Sequence, residues 1–414
     1  VPAHNLWLNL EAISKIHLKK ECHAGFTPAF QPFCTDSEIA ERCDDKVFLR
    51  WLLPFAKKNN LRMRFTLFLL IVFSLGACTH NYYTPNDFAQ VRKIDTHMHL
   101  NAAHTALADL AKEDNFFLVT VCVDVPDYPS VKEQQRLALD QINKNPDAVK
   151  FLTAFTLEDI DSSGWADKTI NTLKQSFEAG ALGIKLWKNI GMAYRNTDST
   201  FIMVDDPRLD PVINYVIQQD KTVMAHIGEP KNCWLPLEEM TVNNDRNYFK
   251  NHPEYHMYLH PEYPTYEDQI NARDRFLERH PDMRFVGAHL GSLEWDVDEL
   301  ARRLDKFPNM AVDLAARIPH LQYQTIQDRE KIRNFFIRYQ HRLIYASDSE
   351  MDAESDVEKV KKQVHEKWVA DWKYFVTDEA MTAPEVNGVF KGLNLPKEVI
   401  DNIFHENAIR WFKL

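Results

Sequence analysis

From residue 92 to the end of the chain, short apolar and β-branched runs alternate with amphipathic stretches. The runs RKIDT (92–96), FFLVTVCV (116–123), VKFLTAFT (149–156), ALGIKLW (181–187), KTVMAHI (221–227), MRFVGAHL (283–290), MAVDLAA (310–316) and RLIYASD (342–348) predict strands. Segments 131–144, 165–179, 266–280 and 325–340 carry the amphipathic pattern of helices. Eight strand–helix units in strict alternation predict parallel strands, and a count of eight favours closure into a (β/α)8 TIM barrel. An open doubly wound sheet is the alternative, but no G-x-G-x-x-G or P-loop follows any of the runs.

Two connections are longer than plain loops: residues 229–265 after the fifth strand and roughly 349–394 after the eighth. Long insertions at the C-terminal mouth of a barrel usually shape the substrate site. The first is crowded with Trp234, Tyr248, Phe249, Tyr255, Tyr258, Tyr263 and Tyr266. These either line an aromatic or sugar-like pocket or pack the segment onto the barrel.

One apolar run lies outside the alternation. Residues 65–75 (FTLFLLIVFSL) are too short to span a bilayer, which takes about 20 residues. Lys57, Lys58, Arg62 and Arg64 precede the run and Leu75-Gly76-Ala77-Cys78 closes it, the order of a secretory signal and not of a core strand. The closing tetrapeptide resembles a bacterial lipobox, in which Cys78 takes the lipid. Residues 1–62 then read as a gene-model extension, with translation starting at Met63, a signal peptide over 63–77, a polar tether over 78–91 and the barrel over 92–414. Such a protein is a lipoprotein of the bacterial cell envelope that touches the membrane only through its anchor, in the periplasm or at the outer membrane if the cell is Gram-negative.

Apolar residues at 45% and charged residues at 26% are close to globular averages, which excludes disordered, collagenous and multi-span membrane classes. The 49 Lys and Arg against 60 Asp and Glu leave a net charge of −11 without a basic run, so nucleic acid is not an expected partner. Six scattered cysteines are too few for a disulfide framework or a zinc ribbon, and Cys122, inside an apolar run, reads as a core residue.

Placed on the barrel, the ionisable residues converge. His97 and His99 follow the first strand with Met98 between them, so alternation turns both imidazoles to one side. His226 ends the fifth strand, His289 the sixth and Asp348 the eighth, at the end of a barrel where catalytic groups collect. A histidine at a strand end is more often hydrogen-bonded than metal-bound, but four of them with a carboxylate at one mouth favour a metal site. Lys185 ends the fourth strand. Beside a metal it must be neutral, carbamylated or paired with a substrate anion; otherwise it is an ordinary strand-end lysine. Lys188, Asn189 and Arg195 in the following loop, and Arg317 past the seventh strand, are candidates for binding a substrate carboxylate.

Residues 92–414 resemble the amidohydrolase superfamily of metal-dependent barrel enzymes, and within it the amidohydrolase-related branch that also contains aromatic-acid decarboxylases. The match rests on Ile94-Asp95-Thr96-His97-Met98-His99, on Ala288-His289-Leu290-Gly291, on Ser347-Asp348 and on the closing Asn407-Ala408-Ile409-Arg410-Trp411-Phe412. The resemblance implies His97, His99 and His226 as metal ligands, with Asp348 as a ligand or as the base that takes a proton from water. It implies His289 as ligand to a second metal or, in members with one metal, as an acid/base. Lys185 stands where members with two metals place a carbamylated bridging lysine. The implied cofactor is Zn2+, one ion or two, with Mn2+ or Fe2+ also compatible with the ligand set.

The activity this implies is hydrolysis of a C–N or C–O bond in a small molecule, an amide, lactone or ester, through a water that Zn2+ brings to a pKa of about 7. The alternative is non-oxidative decarboxylation of a small aromatic carboxylic acid with the same ligands. A lipid-anchored binding protein without turnover is a third reading, disfavoured because binding needs no such constellation.

Overall fold

The computed structural model describes residues 81–125 and 128–414. Strand β1 (Lys93–Asn101) pairs in parallel with β2 (Phe116–Val121), and β2 with β3 (Val149–Leu152). A second parallel run joins β4 (Gly183–Leu186), β5 (Thr222–Ala225), β6 (Phe285–Gly287), β7 (Met310–Asp313) and β8 (Leu343–Ile344) in that order. Two seams close the ring. Thr153 N donates to Gly183 O at 3.1 Å and Lys185 N to Thr153 O at 2.7 Å, which joins β3 to β4. On the other side the chain runs from β8 into β9 (Ser349–Asp352), which pairs in parallel with β1, and Asp348 N donates to His97 O at 2.9 Å. The eight predicted strands therefore form one parallel barrel, each shorter than predicted except β1, which runs on to Asn101.

Alternation along the strands sorts side chains into two cores. Ile94, Val119, Leu152, Met224, Val286, Ala311 and Ile344, one from each of seven strands, pack together inside the ring with Ala408, Trp411 and Phe412 of the closing helix Asn407–Phe412. Their strand neighbours Leu118, Ile184, Val223, Phe285, Met310 and Leu343 belong to the larger core outside the ring. Helices Val131–Lys144, Trp165–Glu178 and Tyr266–Arg279 fall within a residue of prediction. The predicted helix 325–340 is instead two, Ile318–Gln327 and Arg329–Arg338. Asp328 breaks it: its backbone is extended, and its side chain accepts from Lys331 N at 2.9 Å, capping the second helix.

Residues 229–265 fold as short 3-10 turns around one helix, Asn243–Asn251. Phe249 packs there with Cys233, Met240 and Met257, while Tyr255 and Tyr258 stay exposed, so packing accounts for the buried part of this aromatic segment. Residues 349–394 hold β9, the helix Val357–Val376 and a hairpin of β10 (Ala380–Ala383) with β11 (Val386–Lys391).

Residues 81–91, read from sequence as part of a tether, belong to the fold. Tyr83 Oη donates to Asp401 Oδ1 at 2.8 Å, Trp372 Nε1 donates to Thr84 O at 3.1 Å, and Phe88 is buried. Lys93 fastens this turn from within. Its Nζ donates to the carbonyls of Phe88 and Val91 and lies 4.5 Å and 4.7 Å from the ring centroids of Phe88 and Phe116. The extension 1–62, the signal 63–77 and Cys78 lie outside the described residues. Among the described residues, no helix is long and apolar enough to cross a membrane.

Candidate metal centre

A register shift in β1 decides what faces the mouth. Asp95 pairs with Leu118 and Met98 with Thr120, so three steps of β1 match two of β2. That bulge lets Ile94 join the core inside the ring while Met98 joins the outer one, leaving His97 and His99 on the inner side. On β5 and β7 the ordinary step of two carries the inner face from Met224 to His226 and from Ala311 to Asp313.

The nitrogen and oxygen ligand atoms of His97, His99 and Asp348 all lie within 4.8 Å of one another. Asp348 Oδ1 is 3.3 Å from His97 Nε2 and 3.6 Å from His99 Nε2. Asp313, which sequence reading left unassigned, organises the site. Its Oδ2 accepts from His97 Nδ1 at 2.9 Å, and its Oδ1 accepts from the backbone N–H of His289 at 2.6 Å and of Ala315 at 3.2 Å. His97 Nε2 is thereby the lone-pair nitrogen, and Lys185 Nζ donates to it at 3.0 Å. His289 Nδ1 donates to Ala315 O at 2.9 Å, which leaves its Nε2 as the lone pair as well. His226 packs its ring 4.1 Å from that of His289, centroid to centroid. Beneath these side chains, Asp95 accepts from Ser347 N at 3.0 Å and from Trp368 Nε1 at 2.9 Å, tying β1 to the segment between β8 and β9 that carries Asp348.

Backbone strain gathers at the same place. His289, Leu290, Ala316 and Asp348 all sit at φ between 53° and 61°, a region costly for residues with a Cβ. The carbonyl of His97 and the carboxylate of Asp313 hold two of them there through the N–H groups of Asp348 and His289.

Burial shapes the charges. It pulls His97 below the ordinary imidazole value, reinforced by the Lys185 ammonium and opposed by Asp348 and Asp313. It pushes His226 well below that value and His289 down to about 3. Lys185 is lowered to about 8, again by burial, with Asp313 and Asp348 pulling the other way. For Asp348 burial acts to raise the carboxyl, but His289, His97 and His99 outweigh it and hold the group well below the usual carboxylate range. Burial thus favours neutral rings at His97, His226 and His289 around an ionised Asp348.

That donor set fits a divalent cation. His226 Nε2 and His99 Nδ1 are buried without a hydrogen-bond partner, and His97 Nε2, His99 Nε2 and Asp348 Oδ1 share one small space. His97, His99 and Asp348 are the residues that could hold the ion, with His226 and His289 beside them.

Of the other sequence candidates, Arg317 is buried at the mouth, where its charge acts on His226 and His289. Arg195 is engaged elsewhere: it is exposed, donates to Ser199 O at 2.8 Å and lies 3.7 Å from the ring centroid of Phe201. Lys188 pairs with Glu229, and Asn189 Nδ2 donates to Asp124 O at 2.8 Å.

A sequence model of the amidohydrolase family matches residues 94–414. Among curated proteins no match is found. Solved structures similar to this chain include 2,6-dihydroxybenzoate decarboxylase from Rhizobium, at 14% identity, covering 78% of this chain and 98% of that one with a TM-score of 0.43. A D-hydantoinase from Thermus is similar at 13% identity, over 65% of this chain and 60% of that one, with a TM-score of 0.41. A 4-oxalomesaconate hydratase from Rhodopseudomonas palustris stands at 12% identity, 78% of this chain, 95% of that one and TM-score 0.41.

Proposed function

The chain belongs to the amidohydrolase family, and on that premise we propose that it is a metal-dependent hydrolase of a C–N or C–O bond in a small amide, lactone or ester. The observation that carries this reading is the group of buried His97 and His99 with half-buried Asp348, in which the carboxylate is held ionised by the imidazoles around it. Zn2+ is the ion we assign to this set of neutral nitrogens and one carboxylate, with Mn2+ or Fe2+ compatible. Such an ion supplies Lewis acidity, polarising the bond under attack and acidifying water.

The protein's own groups do the rest. Asp348 is the acceptor for the proton of the attacking water and the group that returns it to the leaving atom, since its ionised oxygen lies 3.3 Å and 3.6 Å from the Nε2 atoms of His97 and His99 whereas Asp313 is occupied by His97 Nδ1. Asp313 keeps the His97 proton on Nδ1 and fixes the backbone of His289. His289, kept neutral by burial, offers Nε2 as a ligand or hydrogen-bond acceptor. Lys185 in its ammonium form caps His97 Nε2, so the reading requires this lysine to withdraw or to be carbamylated when the ion binds.

The test is a product assay on the metal-loaded chain. Acid release from lactones and esters, or a carboxylate with an amine from amides, in each case without CO2, is the expected result. CO2 release from hydroxybenzoates in its place would convert the reading to a decarboxylase built on the same ligands. Metal per chain and the mass of Lys185 accompany it: two ions and a carbamylated lysine go with hydrolysis. We also propose that Cys78 anchors the protein by lipid to a bacterial envelope, a reading supported by the order of charged, apolar and small residues over 57–78.

A further inference from the structure

Asn81 is tied to the end of the barrel opposite the metal centre. Lys397 N donates to Asn81 O at 2.7 Å, Tyr82 bridges to Pro396, and Tyr83 Oη reaches Asp401 at the end of the short helix Lys397–Asp401. Asn115 Nδ2 donates to Gln90 O at 3.0 Å and Lys93 N to Asn115 O at 2.9 Å, which fixes residues 85–92 where β1 and β2 begin. The chain after Asp401 runs beneath the same strand ends. Asn407 Nδ2 donates to Leu343 O at 2.8 Å at the start of β8, and Thr222 Oγ1 donates to Trp411 O at the start of β5. The barrel strands are parallel; His97 and His99 lie further along β1, and His226, His289 and Asp348 just past the ends of β5, β6 and β8. Asn81 and the metal centre therefore belong to opposite ends, the base and the mouth.

Because residues 81–91 belong to the fold, the leash from a lipid on Cys78 is far shorter than the polar stretch 78–91. Thr79 and His80 alone separate Cys78 from Asn81, and three backbone steps span at most about 11 Å whatever path they take. That is about the diameter of one helix, whereas the nine residues of β1 carry the chain about 30 Å from the base toward the mouth. A lipid at Cys78 would hold the base at the headgroups, and the mouth would stand at the far end of the strands. The base also carries side chains that suit that level. Tyr82, Arg92 and Lys397 are exposed, and Lys397 Nζ lies 4.8 Å from the ring centroid of Tyr83. Tyrosine and long basic side chains keep an apolar body in the interface and a polar tip in water. Glu398 is exposed beside them, so the face is mixed in charge and does not depend on anionic lipid.

We infer that the base of the barrel, around Asn81, Tyr82, Arg92 and Lys397, rests on the lipid surface, with the mouth turned to water, so that substrate enters from solution and not from the bilayer. The inference rests on the proposed lipid at Cys78. The lipidated full chain in phosphatidylcholine vesicles that contain a photoactivatable phosphatidylcholine tests it, with labelled peptides mapped by mass spectrometry. Residues 81–92 and 396–398 should carry about tenfold more label than Tyr255, Tyr258 and Leu259, which are exposed on the connection after β5. Equal or greater label on those three residues overturns the inference. A spacer of twelve Gly and Ser residues between His80 and Asn81 lengthens the reach to about 50 Å. It should cut the label at the base about fivefold or more with the fatty acid on Cys78 retained, and undiminished label there would show that the leash does not set the orientation. Cys78 without fatty acid removes the anchor and this inference together. Cys78 with fatty acid and a base without label overturns this inference alone.

Discussion

Asp313 Oδ2 lies 2.9 Å from His97 Nδ1, and this contact fixes which imidazole nitrogen is available as a ligand. The same carboxylate holds the backbone N–H of His289, so one side chain on β7 sets ligands on β1 and after β6 together. Asp313→Asn keeps the shape but offers a donor where His97 needs an acceptor. Metal affinity, measured by competition with a chelator, should fall by about 10–100-fold. A variant that holds metal as tightly as the parent would show that the contact is only structural.

His97→Ala and His99→Ala should each remove most bound metal and lower turnover by about two orders of magnitude or more, while the barrel still folds. Both side chains stand on the inner face at the mouth, whereas the apolar packing of β1 rests on Ile94, Met98 and Leu100. Metal analysis alongside circular dichroism checks this, and full metal content in either variant would remove that histidine from the site.

Asp348→Asn deletes the anionic oxygen and retains the volume. If Asp348 moves a proton, kcat should drop about a hundredfold or more with KM little changed. A rise in KM at constant kcat would reassign Asp348 to binding. The two constants are read from one saturation curve.

Lys93 gives a pH signature in stability. Burial lowers its ammonium from 10.5 to about 7, opposed by Asp114. With the folded value depressed, the unfolded chain binds the extra proton between those limits, so folding is penalised at and below pH about 7 and relieved as the pH rises toward 10. The stability of the parent relative to Lys93→Met, from urea unfolding, should therefore increase from pH 7 to pH 10. A difference that is flat with pH would mean that the carbonyls of Phe88 and Val91 hold the charge as well as water does.

Cys78→Ser tests the anchor. The variant should lose incorporation of labelled fatty acid and move from the membrane to the aqueous fraction, with the activity of the domain unchanged. Membrane fractionation that stays the same would place any anchor elsewhere.

The barrel and the polar side chains gathered at its mouth were legible because both depend largely on periodicity. Alternation puts the H-x-H pair on one face, and His226, His289 and Asp348 lie just past strand ends, while the bulge in β1 sets which of its faces turns inward. Asp313 was missed although it interrupts an apolar run, MAVDLAA; its value comes from contacts to residues 216 and 24 positions away, which no local pattern marks. The bulge between Asp95 and Met98 was invisible for the same reason, since it is defined against β2. The tether was misjudged because residues 81–91 are polar to the eye, while Phe88 and the carbonyls that Lys93 takes decide their place.

The seam between β1 and β9 brings together residues from the two ends of the barrel sequence, His97 and Asp348. Joined through one ion, they would act as a cross-link over a loop of roughly 250 residues, and chain-entropy arguments value such a restraint on the order of 5 kcal/mol. Stripping the ion would then do more than stop chemistry: it would release one clasp on the seam where the last strand meets the first. Resistance to proteases and slow unfolding should therefore track metal occupancy, making nutrient metal supply a control on how long each molecule survives.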